Sequence, residues 1–175
     1  HVLIIIYGYY IMILGFAGWS GSGKTTLIKN IIPILNKLNI TVSTIKHAHE
    51  GFDIDKKGKD SYSHRAAGAR EVLISSRKRF ALMHEYSNSE NSLYQLINKL
   101  EPVDLIIVEG WKNEKITKIE VYRSVINKPF LYKKDKNIVA IATDKKLNIP
   151  GKITLNLNNY NEIAMFIKDL LKNEI

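Results

Sequence analysis

Gly18-Trp19-Ser20-Gly21-Ser22-Gly23-Lys24-Thr25 has the spacing of a phosphate-binding loop, G-x-x-x-x-G-K-[ST]. Its glycines let the backbone wrap close to phosphate oxygens with N–H groups turned inward. A helix beginning near Lys24 adds the positive end of its dipole. Lys24 then reaches the β- and γ-phosphates of a nucleotide, and the Thr25 hydroxyl binds Mg²⁺. Such a cradle needs a carboxylate at the end of a neighbouring strand. Leu105-Ile106-Ile107-Val108 followed by Glu109 and Gly110 supplies four apolar residues, an acid and a turn. Glu109 stands where a Walker-B acid stands, meeting the metal directly or through water. The expected nucleotide contacts are Gly18, Gly21, Ser22, Gly23, Lys24, Thr25 and Thr26, with Thr25 and Glu109 serving Mg²⁺.

A second stretch rich in chemistry is the loop His47 to Asp60, HAHEGFDIDKKGKD. Asp53, Asp55 and Asp60 are acids able to meet Mg²⁺ or orient a water. With Lys24, Asp53 is the candidate catalytic residue. His47 and His49 alternate as metal ligands do, yet no third ligand stands at a fixed spacing and cysteine is absent. The readings that remain are a solvated loop, a transition-metal site, and a switch that responds to the γ-phosphate.

The elements that position these residues alternate. Ile11–Ala17 reads as a buried strand, Thr25–Leu38 as a helix with an apolar stripe at Leu27, Ile31, Leu35 and Leu38, and Thr41–Lys46 as a strand. Pro33 is expected to kink that helix. A short helix Ser61–Ala69 precedes strands Val72–Ser75 and Phe80–His84. Leu93, Leu96, Ile97 and Leu100 mark a helix stopped by Pro102. Strands Leu105–Val108, Lys118–Tyr122 and Ile138–Ala142 follow. The last helix opens on Asn159 with Glu162 three residues on, an N-cap pair. The sum is an α/β fold, a mostly parallel P-loop-type sheet flanked by helices with some added antiparallel strands. Residues 12–175 are read as a single nucleotide-binding domain. Met12 is a plausible initiator, and residues 1–11 are an unassigned extension.

Composition narrows the function classes. The 175 residues include no cysteine, which removes disulfide scaffolds, zinc fingers, iron–sulfur clusters and thiol nucleophiles and favours a reducing cytoplasm. The net charge of +9 invites a nucleic-acid reading. It comes from 21 Lys and only 5 Arg spread along the chain, without the Arg forks and exposed aromatics that nucleic-acid recognition uses. The uncharged run Val2–Ala17 is too short for the ~20 residues that span a bilayer as a helix. Neither nucleic acid nor membrane is an expected partner.

GFAGWSGSGKTTLI, TIKHAHEGFDIDKKGKDSYSHRAAGA, VDLIIVEGWK, KIEVYR and NIVAIATD together resemble the molybdopterin-guanine dinucleotide biosynthesis protein B family. The resemblance begins near Met12 and covers the rest. It implies a dimeric GTP-binding protein that assists a partner nucleotidyltransferase in attaching GMP to molybdopterin. The chain has no Asn-Lys-x-Asp guanine motif. Asp144, just past the strand Ile138–Ala142, is the candidate guanine contact, since a carboxylate can accept from N1–H and N2–H₂ of guanine and adenine offers no match. No fixed glutamine or cis arginine finger is apparent, so GTP hydrolysis is expected to be slow. A P-loop small-molecule kinase and a non-catalytic, nucleotide-switched adapter are the alternatives.

Overall fold

The computed structural model describes residues 3–6, 8–48 and 51–172. The chain divides into two compact units: residues 1–47 with 96–175, and residues 48–95.

The first unit is a sheet covered by helices. Strands β1 (Leu3–Ile6), β2 (Tyr9–Ala17), β3 (Val42–Lys46), β6 (Leu105–Glu109), β7 (Lys118–Tyr122), β8 (Ile138–Thr143) and β9 (Ile153–Asn156) form it. Its order is β3-β6-β2-β7-β8-β9, every neighbour parallel, with β1 antiparallel on β2. Helices α1 (Lys24–Lys37) and α4 (Tyr160–Lys172) pack on one face.

The central strands carry apolar side chains on both faces because helices or loops cover both. Met12, Leu14 and Phe16 alternate along β2 and pack with Leu27, Ile31 and Leu35 of α1 and Ile163 and Ile167 of α4. Ala17, Ile138 and Ile141 form another cluster with Tyr122, Phe130, Leu131 and Tyr132. β7 is the exception, since Lys118 and Glu120 are buried within it. The Lys118 ammonium donates to Asp135 at 2.7 Å and to the carbonyls of Lys112 and Glu114. Glu120 accepts the Leu131 and Tyr132 N–H groups at 2.7 and 2.9 Å. Each buried charge has partners, as a low-dielectric interior requires. Together they pin residues 130–135 against β7.

The second unit holds α2 (Asp60–Ala66) and an antiparallel hairpin, β4 (Glu71–Ser75) and β5 (Phe80–His84). The short α3 (Leu93–Ile97) comes next in the chain.

Several elements differ from expectation. Among the described residues, those before Ile11, to which the sequence assigned no element, contribute β1 and the start of β2. The strand β9 was not anticipated: its four residues lack a long apolar run and only Leu155 is buried. The expected helix reaching Leu100 ends at Ile97. α1 continues through Pro33 as one 14-residue element. At α4, the Asn159 side chain caps the Glu162 N–H at 3.2 Å, while the Glu162 carboxylate accepts from Asn156 and not from Asn159. That is half of a capping box.

Candidate nucleotide-binding site

β2 ends at Ala17 and α1 begins at Lys24, so residues 18–23 make the turn between a buried strand and a helix. A Cβ at Gly18 would lie 2.5 Å from the Val121 carbonyl oxygen, which only glycine avoids. Gly23 is the N-cap of α1 at φ +94, a left-handed conformation natural to glycine. No side chain caps this helix start, and no acid occupies its first turn. First-turn N–H groups have no acceptor within their own helix, so they are open to an anion.

The Lys24 ammonium folds back over the loop, donating to the carbonyls of Gly18 at 2.9 Å and Trp19 at 3.0 Å. Burial lowers its pKa, the Glu109 carboxylate opposes that shift, and the charges of Lys112 and Lys46 add to it. The charges of Lys112 and Lys46 thus reach Lys24 at this turn, a positive field suited to a multiply charged anion. Glu109 is the last residue of β6, the strand beside β2. Its Oε1 accepts from the Thr25 hydroxyl at 3.4 Å. A hydroxyl and a carboxylate this close are hard oxygen donors of the kind Mg²⁺ takes when it keeps most of its waters.

The Asp144 carboxylate lies just past β8 and accepts the Ser124 N–H at 2.9 Å and the Ser124 hydroxyl at 3.2 Å. Burial raises its pKa, but the bonds from Ser124 and the charge of Arg123 outweigh that and hold it below its ordinary value. Asp144 also lines a cavity of about 630 Å³ at the carboxyl ends of β8 and β9, with Lys145, Leu147, Asn148, Asn156 and Asn158. Parallel sheets present ligand sites at that end.

The family model for molybdopterin guanine dinucleotide synthesis protein B matches residues 13–144. The chain belongs to the MobB family. It is similar to the molybdopterin-guanine dinucleotide biosynthesis adapter protein of Escherichia coli K12, 39% identical over 168 residues that cover 94% of this chain and 95% of that one. The adapter protein of Haemophilus influenzae is also 39% identical, over 170 residues covering 96% and 94%. A crystal structure of molybdopterin-guanine biosynthesis protein B is similar in fold, with TM-score 0.73 and 29% identity over 91% of this chain and 99% of that one. The MobB match spans the loop at Gly18–Thr25, Glu109 and Asp144 alike.

Within this MobB chain, the first unit brings together the glycine-rich loop, Lys24, Thr25 and Glu109. Asp53 belongs to the second unit, where Arg65 grips its carboxylate at 2.6 Å. Asp55 accepts from Ser61 at 2.8 Å and from its neighbour's N–H at 3.0 Å. His47 packs its ring on Trp111 at 4.9 Å between centroids, and its backbone N–H donates to the Glu109 carbonyl. His49 lies outside the described residues. Among the described residues, no group of three or more His, Asp or Glu is gathered as metal ligands, and no helix is long and apolar enough to cross a membrane.

Sequence reasoning missed Arg123. Its guanidinium reaches the turn itself: Nη2 is 3.3 Å from where a Cβ on Gly23 would stand. No local signal marks it: Arg123 is the first residue after β7, and only the sheet order sets β7 beside β2.

Proposed function

We propose that this chain binds GTP with Mg²⁺ at the Gly18–Thr26 turn and acts as an adapter for a nucleotidyltransferase that attaches GMP to molybdopterin. The adapter part is supported by the name its E. coli and H. influenzae relatives share. One observation carries the nucleotide part. The start of α1 is uncapped, free of acids, and faced by the Lys24 ammonium and the Thr25–Glu109 pair.

On binding, Lys24 exchanges the Gly18 and Trp19 carbonyls for phosphate oxygens, and the loop amides take others. Thr25 and Glu109 would hold Mg²⁺, which when bound neutralises phosphate charge. Asp144 gives one acceptor contact per oxygen to Ser124. A carboxylate offers about four acceptor sites, so capacity remains for guanine N1–H and N2–H₂. Hydrolysis is slow, and binding more than turnover sets the state seen by the transferase. The chain works as a cytoplasmic homodimer in this reading.

Competition of ATP against labelled GTP tests the base preference. GTP should win by at least ~10-fold, as expected when a polar site rejects a base that leaves its groups unpaired. Equal potency would favour a kinase-type reading. Hydrolysis measured with and without the transferase tests the rest: Asp53→Asn should slow it more than it weakens binding. An unchanged rate removes Asp53 from the chemistry.

A further inference from the structure

We infer that Arg123 is a phosphate-contacting residue of the nucleotide site, reaching the bound polyphosphate from the strand on the far side of the loop from Glu109. The inference rests on the GTP-binding reading and adds to it a cation that no motif in the loop supplies.

Geometry comes first. β2 lies between β6 and β7, so the residues at the carboxyl ends of those two strands flank the turn from opposite sides. Glu109 ends the one and Arg123 comes directly after the other. The absent side chain of Gly23 leaves the space that the Arg123 guanidinium fills, with Nη2 at 3.3 Å and Nε at 3.7 Å from the Cβ position. Gly23 is the N-cap, and the amides that follow it are open to an anion. A guanidinium held there meets the same oxygens as those amides. It can do so with two parallel N–H donors, a geometry an ammonium lacks.

Partners come second. Among the described residues, the Arg123 guanidinium has the Asp144 carboxylate as a charged neighbour and makes no side-chain hydrogen bond. Lys118, on the same strand, has three acceptors. The Arg123 charge is felt by the Asp144 carboxylate, but its N–H donors are open to a further acceptor.

Positioning comes third. The residue after Arg123 is fixed: the Ser124 N–H and hydroxyl both donate to Asp144. Ile126, closing the same 3₁₀ turn, places Cδ1 3.9 Å from the Cβ position of Gly21. The short segment from Arg123 to Ile126 thus touches the phosphate turn at both ends and ties to the carboxylate in the cavity beside β8. Arg123 is consequently set by the same bond that sets Asp144, and the phosphate and base ends of the site are built as one piece.

Calorimetric titration of the full chain with GTP and GDP, each with Mg²⁺, tests this in wild type, Arg123→Ala and Arg123→Lys. Arg123→Ala should weaken both nucleotides by ~10–100-fold, the range of a hydrogen bond to a charged group. Arg123→Lys should recover part of that loss, and the melting temperature without nucleotide should not move. Unchanged affinity in Arg123→Ala, with wild type binding normally, overturns the inference and leaves the GTP reading standing. An equal loss in both variants with a lowered nucleotide-free melting temperature also overturns it, showing a structural role. Failure of wild type to bind either nucleotide overturns the GTP reading and this inference together.

Discussion

The two units of this chain treat apolar side chains in opposite ways. In the first, Ile13, Leu14, Ile31, Leu35, Leu105 and Ile106 are entirely buried. In the second, Val72 and Leu93 are the buried apolar residues among those described, while Leu73 and Phe80 are 60% and 68% exposed. Polar contacts hold the second unit together. Arg65 pairs with Asp53 and Glu85, and His84 with Glu71 at 2.7 Å. Exposed ion pairs such as those of Arg65 contribute ~0–1 kcal/mol each. The contrast separates a scaffold that holds the glycine-rich turn rigidly from a segment whose shape is weakly fixed by its own interior. A preformed cradle needs the former. A segment that adjusts to what it meets is drawn from the latter.

The largest effect should come from the scaffold. Leu105→Ala empties a fully buried site in β6 and should cost ~2–5 kcal/mol in chemical denaturation. A cost below ~1 kcal/mol would mean the sheet interior is no better packed than the hairpin.

An intermediate effect belongs to the ion pair between buried Lys118 of β7 and the half-buried Asp135. Burial raises the Asp135 pKa, but the Lys118 ammonium and the Asn137 donors outweigh it and hold the carboxyl below its ordinary value. A depressed carboxyl contributes stability that is fully present above its unfolded pKa and is lost as pH falls through the lower folded value. Stability should therefore drop on acidification below ~4, the ordinary aspartate range. Asp135→Asn should cost ~1–3 kcal/mol at neutral pH, the penalty of a lost charged hydrogen bond, and should flatten that acid limb. Denaturant melts at neutral and acidic pH report both.

The smallest effect should come from the hairpin. Phe80→Ser removes an exposed ring and should shift the stability of the isolated chain by no more than ~0.5 kcal/mol. A loss comparable to that of Leu105→Ala would erase the distinction between the units.

The same contrast governs what could be read from sequence. The strand–turn–helix at Gly18–Thr25 was legible because its signals are local: strand, glycine spacing, Lys24 and Thr25 succeed one another along the chain. Glu109 was legible because a strand buried on both faces announces itself as an apolar run. Strand β9 and the β1 pairing were not, since each is fixed by a partner strand and neither shows clean alternation. Within the strand Lys118–Tyr122, nothing local marks Lys118 and Glu120 as buried. Their burial depends on Asp135, 17 residues on from Lys118, and on the Leu131 and Tyr132 amides, 11 and 12 residues on from Glu120. Arg123 was hidden for the same reason, because only the strand order puts the end of β7 beside the phosphate turn. The Asp53–Arg65 pair was not legible either, since the partners stand 12 residues apart, across a loop and into a helix.

The central claim is that the Gly18–Thr26 turn is a nucleotide phosphate cradle. Titrating the full chain and its Lys24→Ala variant with GTP and Mg²⁺ in a calorimeter tests it most directly, with circular dichroism confirming that both fold. The account predicts saturable binding to the wild type and at least ~10–100-fold weaker binding to the variant, the loss of a charged contact to phosphate. Equal affinities in two equally folded proteins would contradict it.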